Sequence, residues 1–310
     1  MKPRFRLRDK LLLFVTLLVV FLIATVLYIL DQQVQSESLN SMKSDLDRTF
    51  SVFDSFVVQE TDNLRDKAIL MSGLPRLTAA MDVRRPNFSA MSNTVSDLCL
   101  DLSDSVKVPS LFIVTDKAGQ VLFDSHHPPE EILALRQGRE PDPSKKGDHS
   151  PVEAGAWPNV KAALEGHPSQ GGFLYADSSV PGSKPTAYQT VTYPILSPGR
   201  EMLGVLILGL ALDKPLAESM KNMTDSEIAF FINKQVFASS WPVDKYPLVD
   251  ENVAPEIPAP EMWKDMSTSP SSPVTLNGEI YEARFAPFKD TQGQVLGNYA
   301  ILRSVDKALA

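Results

Sequence analysis

The sequence predicts an α+β protein in which one long N-terminal helix precedes two tandem copies of an antiparallel sheet module. Three observations predict this class. Residues 11–30 form an uncharged apolar run, a helical spacing of apolar residues follows it, and one segment recurs at a constant offset of 93 residues. A chain of 310 residues with 43% apolar residues is long enough for two packed cores.

Residues 11–30 predict a transmembrane helix. They carry no charge, and at about 1.5 Å per residue they span roughly 30 Å, the thickness of the bilayer hydrocarbon. The first ten residues hold five basic side chains and one acidic one, so the positive-inside rule predicts a cytoplasmic N-terminus and an extracytoplasmic 31–310. A cleaved signal peptide is the alternative, but its apolar core is normally about 7–15 residues long.

Charge and motif content exclude several function classes. The net charge is −8, and the first ten residues contribute positively, so the remainder is strongly acidic and does not suit nucleic acid. The single cysteine, Cys99, permits no intramolecular disulfide and is interpreted as a buried apolar residue. The sequence has no nucleophile elbow, P-loop or dinucleotide fingerprint. We therefore expect no catalytic residue, no metal and no cofactor.

From residue 31 to about 74 the sequence predicts one long helix. Its apolar residues recur at steps of three and four: Leu39, Met42, Leu46, Phe50, Phe53, Val57 and Leu64. Gly73 and Pro75 supply the end of the helix. Such a stripe can pack against a second copy or against its own domain. We favour contact with a second copy in the membrane-proximal half, and hence a homodimer.

The rest of the chain predicts short helices and strands. We expect a helix over 87–103, a hairpin over 110–125 with its turn at Asp116 to Gly119, and a loop over 126–155 that includes a short helix. A helix over 157–164 closes at Gly166. Strands are expected at 172–176, 186–195 and 202–212, and the Pro-rich stretches 255–260 and 270–273 are expected as loops.

Residues 194–217 align with 287–310 without a gap. Pro194 meets Pro287, Leu203-Gly204 meets Leu296-Gly297, and Asp213-Lys214 meets Asp306-Lys307. The hairpin of 112–125 has a shorter counterpart at 229–240. We infer two copies of one module, each ending in two long strands and an Asp-capped helix.

The order of these segments resembles the double Cache (tandem PAS-like) sensor domains of bacterial transmembrane receptors. The resemblance rests on LFIVTDKAGQVLFDSHHP, GDHSPVEAGAWPNVKAALEGHPSQGG and LGVLILGLALDK, and covers about residues 31–310. It implies a basic tail at 1–10, a transmembrane helix at 11–30, a signalling helix at 31–86, a membrane-distal module at 87–212 and a membrane-proximal module at 213–310. The Arg, Trp and Tyr-Asp signature of the amino-acid-binding members does not occur in recognisable spacing.

What the resemblance implies for function is ligand sensing by a receptor of the histidine kinase, cyclase or chemoreceptor type in the bacterial inner membrane. Such receptors continue into a second transmembrane helix and an effector, so we expect this sequence to be the sensor portion of a longer receptor. The expected ligand is a small molecule such as a carboxylate or another metabolite. The alternative is a ligand-free, membrane-anchored module for dimerisation or partner docking.

Candidate ligand contacts lie in the distal module. Adjacent histidines do not easily face one metal ion, so the loop residues are interpreted as pocket lining or as plain surface. Residues 188, 190 and 192 share one face of a strand, and that face is either the pocket wall or the outside. The candidates are His126, His127, Asp148, Tyr175, Tyr188, Thr190 and Thr192. A smaller cavity beside Tyr281, Arg284 and Phe285 is a weaker hypothesis.

Overall fold

The computed structural model describes most of the chain. The described residues are 7–81, 94, 109–125, 154–175, 186–232, 235–241, 268–276, 279–289 and 293–305. The sequence also predicts short helices near 130–136 and at 261–266, and both lie outside the described residues. So does the predicted helix 87–103, apart from Thr94, which is helical.

A single helix, α1, runs from Leu7 to Ser72 over 66 residues. It stops where the sequence predicts, because Gly73 follows and the short helix α2 (Pro75–Met81) starts with a proline. Among the residues that the structure describes, no helix offers a stretch long and apolar enough to cross a membrane.

Within the described ranges, ten strands form two separate five-stranded antiparallel sheets. In the first sheet the order is β2-β1-β5-β4-β3, and in the second it is β7-β6-β10-β9-β8. The first sheet consists of β1 (Leu111–Asp116), β2 (Val121–Asp124), β3 (Ser169–Tyr175), β4 (Thr186–Leu196) and β5 (Met202–Ala211). The second consists of β6 (Glu227–Ile232), β7 (Gln235–Ser239), β8 (Ser272–Leu276), β9 (Glu279–Lys289) and β10 (Val295–Ser304).

The two sheets repeat each other strand for strand, as the offset of 93 predicts. Pro194 pairs with Val205 and Pro287 pairs with Asn298, so the partners also differ by 93. Both pairs of long strands carry a register irregularity at the same place. The duplicated module is therefore confirmed in register as well as in order.

The first hairpin of each module is closed by an equivalent serine. The Ser125 amide donates to the Phe112 carbonyl and the Phe112 amide donates to Ser125 Oγ at 3.0 Å. Ser240 makes the same two bonds with Ile228. In the predicted turn of the first hairpin Gly119 has φ 79°, and Asp116 Oδ1 accepts from two backbone amides.

Two short helices follow their sequence signals. Helix α3 (Pro158–Leu164) closes at Gly166, whose φ is 91°. Helix α4 (Lys214–Thr224) is capped by Asp213, whose side chain accepts from the Leu216 amide at 3.0 Å. The corresponding Asp306 lies outside the described residues.

The apolar stripe of α1 packs against its own chain. Leu46, Phe50 and Phe53 belong to a core with α4 and the second sheet. Leu64 and its neighbours Ala68 and Met71 belong to a core with α2 and the first sheet. From Met42 onward the stripe is buried within its own chain, so the prediction that it faces a second copy is wrong for these residues. The side chain of Leu39 lies outside the described ones.

One loop prediction also needs correction. Residues 272 and 273, expected in a Pro-rich loop, lie in β8, where Pro273 pairs with Glu282. β8 is an edge strand, and an edge position tolerates proline because one side of the strand needs no donor.

Gly204 in β5 and Gly297 in β10 occupy equivalent sites. Each lies close to the backbone of the neighbouring strand, which is β1 for Gly204 and β6 for Gly297. A Cβ at Gly204 would overlap the Thr115 carbonyl, and one at Gly297 would overlap the Phe231 carbonyl and the Phe288 ring. We predict that G204A and G297A each lower the free energy of unfolding by about 1–3 kcal/mol, because backbone atoms must move. Gly199→Ala is the control, since the nearest atom lies 3.6 Å away. Urea denaturation measures all three, and equal stability would contradict the close approach.

Candidate functional site: the outer face of the first sheet

The first sheet has two differently covered faces. One face packs against α1 and α2 through Phe112, Val114 and Leu206. The other packs against α3 and the 3-10 turn Ala154–Ala156 through residues such as Ile113 and Ile207. We call this second face the outer face, because it lies away from α1.

Tyr188, Thr190 and Thr192 lie together on the outer face, as their alternation predicts. Tyr188 belongs to the apolar core on that face, and both threonines are fully buried. The strand therefore turns these side chains inward, under α3, and not toward solvent.

The two threonine hydroxyls have backbone partners. Thr190 Oγ1 donates to the Gly171 carbonyl at 2.9 Å. Thr192 Oγ1 lies 2.9 Å from Ser169 Oγ and within hydrogen-bond distance of the Ser169 and Asn159 carbonyls. These bonds tie β4 to the edge strand β3 and to α3. Their first role is to hold the wall of the outer face in place.

Tyr188 has an acidic environment. Burial, and to a smaller extent the carboxylates of Asp124 and Asp213, raise its pKa to about 12. Asp124 pairs with Ile113 on the outer face and is 1% exposed. A buried carboxylate near a buried phenol gives this face a hydrogen-bonding and electrostatic character that a purely apolar core lacks.

Two further polar groups of this face were missed by the sequence reasoning. Thr115 is fully buried, and its Oγ1 has no hydrogen-bond partner within the described part of the chain. Asn159 in α3 is 6% exposed. The alternation of Thr115 with Leu111 and Ile113 is the signal that places it on this face, but a hairpin pattern alone predicts only a fold element.

The other candidate residues are placed less fully. Tyr175 is the last residue of β3 and pairs with Thr186 in the backbone ladder. His126, His127 and Asp148 lie outside the described residues. Within the ranges that are described, no group of three or more His, Cys, Asp or Glu residues could hold a metal ion.

An opening lies on the other face of the same sheet, the face toward α1. It is a cleft of about 460 Å³ between α1 and β3, and it is open to solvent. Its walls include Arg65, Ile69, Gln170, Val191 and Tyr193. Tyr193 thus lies on β4 like Tyr188 but on the opposite face.

The smaller cavity proposed for the second module is not formed as expected. Arg284 points to the α1 side, where its guanidinium lies 5.6 Å from the Phe50 ring centroid. Phe285 and Tyr281 belong to the opposite face with Phe231 and Trp241. The three residues do not line one cavity, because Arg284 lies on one face of β9 and both Tyr281 and Phe285 lie on the other.

Comparison with known proteins gives matches to solved structures alone. No family model and no curated protein matches the chain. A domain of a sensory box/GGDEF family protein from Vibrio parahaemolyticus matches with 13% identity and a TM-score of 0.50, covering 89% of this chain and 99% of that one. The extracellular domain of the histidine kinase vpHK1S-Z8 matches with 14% identity and the same TM-score, covering 89% and 94%.

The chain has a double Cache fold. Two sheets of equal strand order on one long helix account for the nearly full-length coverage of these sensor domains. The sensory domain of the Campylobacter jejuni chemoreceptor Tlp3, solved with isoleucine bound, matches at 14% identity, with a TM-score of 0.47 and coverage of 90% and 97%. At these identities the similarity shows the fold of the double Cache sensors.

The raised pKa of Tyr188 predicts a pH dependence of stability. The folded state holds this proton up to about pH 12, whereas the unfolded chain releases it near pH 10. The contribution of Tyr188 is therefore complete below about pH 10 and is lost as the pH rises through 12. We expect Y188F to remove one late step from an ultraviolet titration of tyrosinate and to flatten the loss of stability over this interval. Y193F should leave both features intact, and an unchanged titration in Y188F would contradict the assignment.

Proposed function

We propose that this chain is the extracytoplasmic ligand-sensing part of a transmembrane signal-transduction receptor. A small molecule binds the outer face of the first, membrane-distal module, and α1 carries the signal toward the membrane. The receptor belongs to the histidine kinase, cyclase or chemoreceptor type, and the catalytic output lies outside this chain.

The observation that carries the proposal is a difference between two superimposable modules. Tyr188, Thr190 and Thr192 in β4 correspond, at the offset of 93, to Tyr281, Ala283 and Phe285 in β9. By the same pairing Thr115 corresponds to Phe231, and Phe231 and Phe285 contact each other with ring centroids 6.1 Å apart. The proximal face is filled with aromatic side chains.

Three threonines of the distal face, Thr115, Thr190 and Thr192, stand where the proximal face has Phe231, Ala283 and Phe285. A buried hydroxyl without a partner costs about 1–3 kcal/mol. Within the described residues Thr115 Oγ1 carries this cost, and in the proximal module so do the Trp241 indole N–H and the Asn298 amide oxygen. A bound ligand that hydrogen-bonds to Thr115 offsets the cost in the distal module, as in pockets that combine apolar walls with a few polar groups. This supports the distal module as the ligand site.

The anchor part of the proposal rests on residues 11–30. The described side chains of this stretch, Phe14 and those of 16–29, are all exposed, and several large apolar ones are more than 60% exposed: Phe14, Leu17, Phe21, Leu27 and Tyr28. An exposed apolar helix on a basic N-terminal tail suits a bilayer, with the tail in the cytoplasm.

Homodimerisation is also part of the proposal, but not through the apolar stripe of α1. The outward surface of α1 carries Ser44, Arg48, Ser51 and Ser55, all exposed. A second copy would pack on this surface, which the two sheets leave uncovered.

We predict that Y188F weakens ligand binding about 3- to 10-fold, because one hydrogen bond to a buried group is lost. A thermal-shift screen of the full chain with amino acids, carboxylates and amines first identifies a ligand that raises Tm saturably. Calorimetry then compares wild type, Y188F and Y193F. Weakening by Y193F alone would move the site to the α1-side cleft. A broad screen without any shift, together with a stoichiometric protein partner in a pulldown, would favour a ligand-free docking module.

We predict that the full chain remains in the membrane pellet after carbonate extraction. Phe21→Arg places a charge at the middle of the proposed span, which costs about 2.5–3.5 kcal/mol on the insertion scale. It should shift a substantial fraction into the soluble phase. Val58→Arg, an exposed position on the same helix beyond the span, is the control and should stay in the pellet. Extraction of the wild-type chain would refute the anchor.

A further inference from the structure

Three polar contacts join α1 to the second sheet across more than 200 residues of sequence. Asp54 Oδ1 accepts from the Tyr299 hydroxyl at 2.8 Å, and Arg303 lies 3.2 Å from Asp45. Arg284 forms an ion pair with Asp47. We call these six residues the clasp.

Two members of the clasp on the second sheet have further contacts. Arg284 Nε donates to the Ser269 carbonyl and its Nη2 donates to Thr268 Oγ1, both at 2.9 Å, so its own module holds this side chain. Tyr299 is 6% exposed, and its ring stacks on Phe53 of α1 at 4.4 Å between centroids. The second sheet thus supplies two arginines and a phenol, and α1 supplies the carboxylates.

The spacing of the clasp defines one position of α1 along its axis. From Asp45 to Asp54 the helix rises nine residues, about 13.5 Å. From Tyr299 to Arg303 β10 advances four residues, about 13.6 Å. The two lengths agree, and helix and strand run in opposite directions. A shift of α1 by one turn, about 5.4 Å, would separate both pairs together.

The apolar contacts beside the clasp do not define that position alone. Leu46, Phe50 and Phe53 form a continuous apolar surface, and burial of apolar area is not directional. The ionic contacts are directional and partly exposed, since the side chains of Asp45 and Asp47 are 43% and 63% exposed. Exposed ion pairs are weak individually, so they can separate and re-form without unfolding the core.

We propose that the clasp is a conformational switch: it fixes the axial register of α1 on the proximal module, and its release lets α1 shift toward a second register. This rests on the proposed function, in which α1 transmits the signal. The distal module holds the same helix through Leu64, Ala68 and Met71. A ligand-driven change there pulls on α1, and the clasp determines whether the helix moves on the proximal module.

The test measures the register of α1 in the full chain in lipid nanodiscs without ligand. Spin labels at Q59C and T275C, both exposed positions, report the distance between α1 and β8 in a C99S background. In the protein with the wild-type clasp we expect a single distance between the two labels. In the double variant D45N and D47N we expect a second population displaced by about 5 Å.

The matched control is the double variant D62N and D66N. It removes the same two charges from exposed positions of α1 outside the clasp and should keep the single distance. An unchanged distance in the clasp variant, or the same shift in the control, would overturn the switch.

A second variant covers the case in which the clasp double variant does not fold. Y299F removes only the hydroxyl that binds Asp54, and it should populate the displaced register to a smaller extent. No displacement in Y299F would then refute the proposal. Because no ligand is present, a failure of ligand binding in the distal module leaves this result standing, and a failure of the switch leaves the ligand titration unaffected.

Discussion

The burial of one face of α1 is the interaction on which the whole molecule depends. Residues from Leu46 to Met71 enter the cores of both sheets in turn. Each fully buried Leu, Phe or Met side chain contributes about 1.5–3 kcal/mol, more than an exposed ion pair contributes. The helix is therefore attached by apolar contacts, whereas polar contacts such as Asp54 with Tyr299 select its position. A stiff helix shared by two modules also couples any displacement at one module to the other.

Duplication explains why two sheets of the same order carry different chemistry. Backbone register, hairpin serines and close-approach glycines are equivalent in the two modules, since these features define the module itself. The outer faces are free to differ, because packing there needs only a filled volume. In the proximal module Phe231 and Phe285 fill it. In the distal module Thr115 and Thr192 occupy the corresponding positions, and Asp124 and Tyr188 add further polar groups to the same face.

Sequence reasoning succeeded where the signal is local or repeated. Neighbouring residues determine the helix end at Gly73, the turn at Gly119 and the cap at Asp213. The offset of 93 follows from a repeated segment, and the structure contains all four features. It failed for the partner of the α1 stripe, because spacing shows that a face is buried but not which surface buries it. It also missed β8, since proline at an edge strand reads as a loop. To predict the burial of Thr115 or the contacts of Asp45, Asp47 and Asp54, one must know which strands become neighbours in the fold.

The two modules consequently provide different things: the distal module provides polar groups on its outer face, and the proximal module provides polar contacts to α1. A polar face that is costly without a partner is suited to bind, but it lies away from α1 and cannot act on that helix directly. The outer face of the proximal sheet is largely aromatic, although Trp241 Nε1 and Asn298 Oδ1 of that module also lack partners among the described residues, and this sheet binds Asp45, Asp47 and Asp54 of α1. Ala187 and Leu212 of the distal module also pack into the core that α1 shares with the proximal sheet. In the proposed function, energy from ligand binding near Tyr188 passes through these contacts as well as through α1, so the strength of both limits how much of that energy becomes movement.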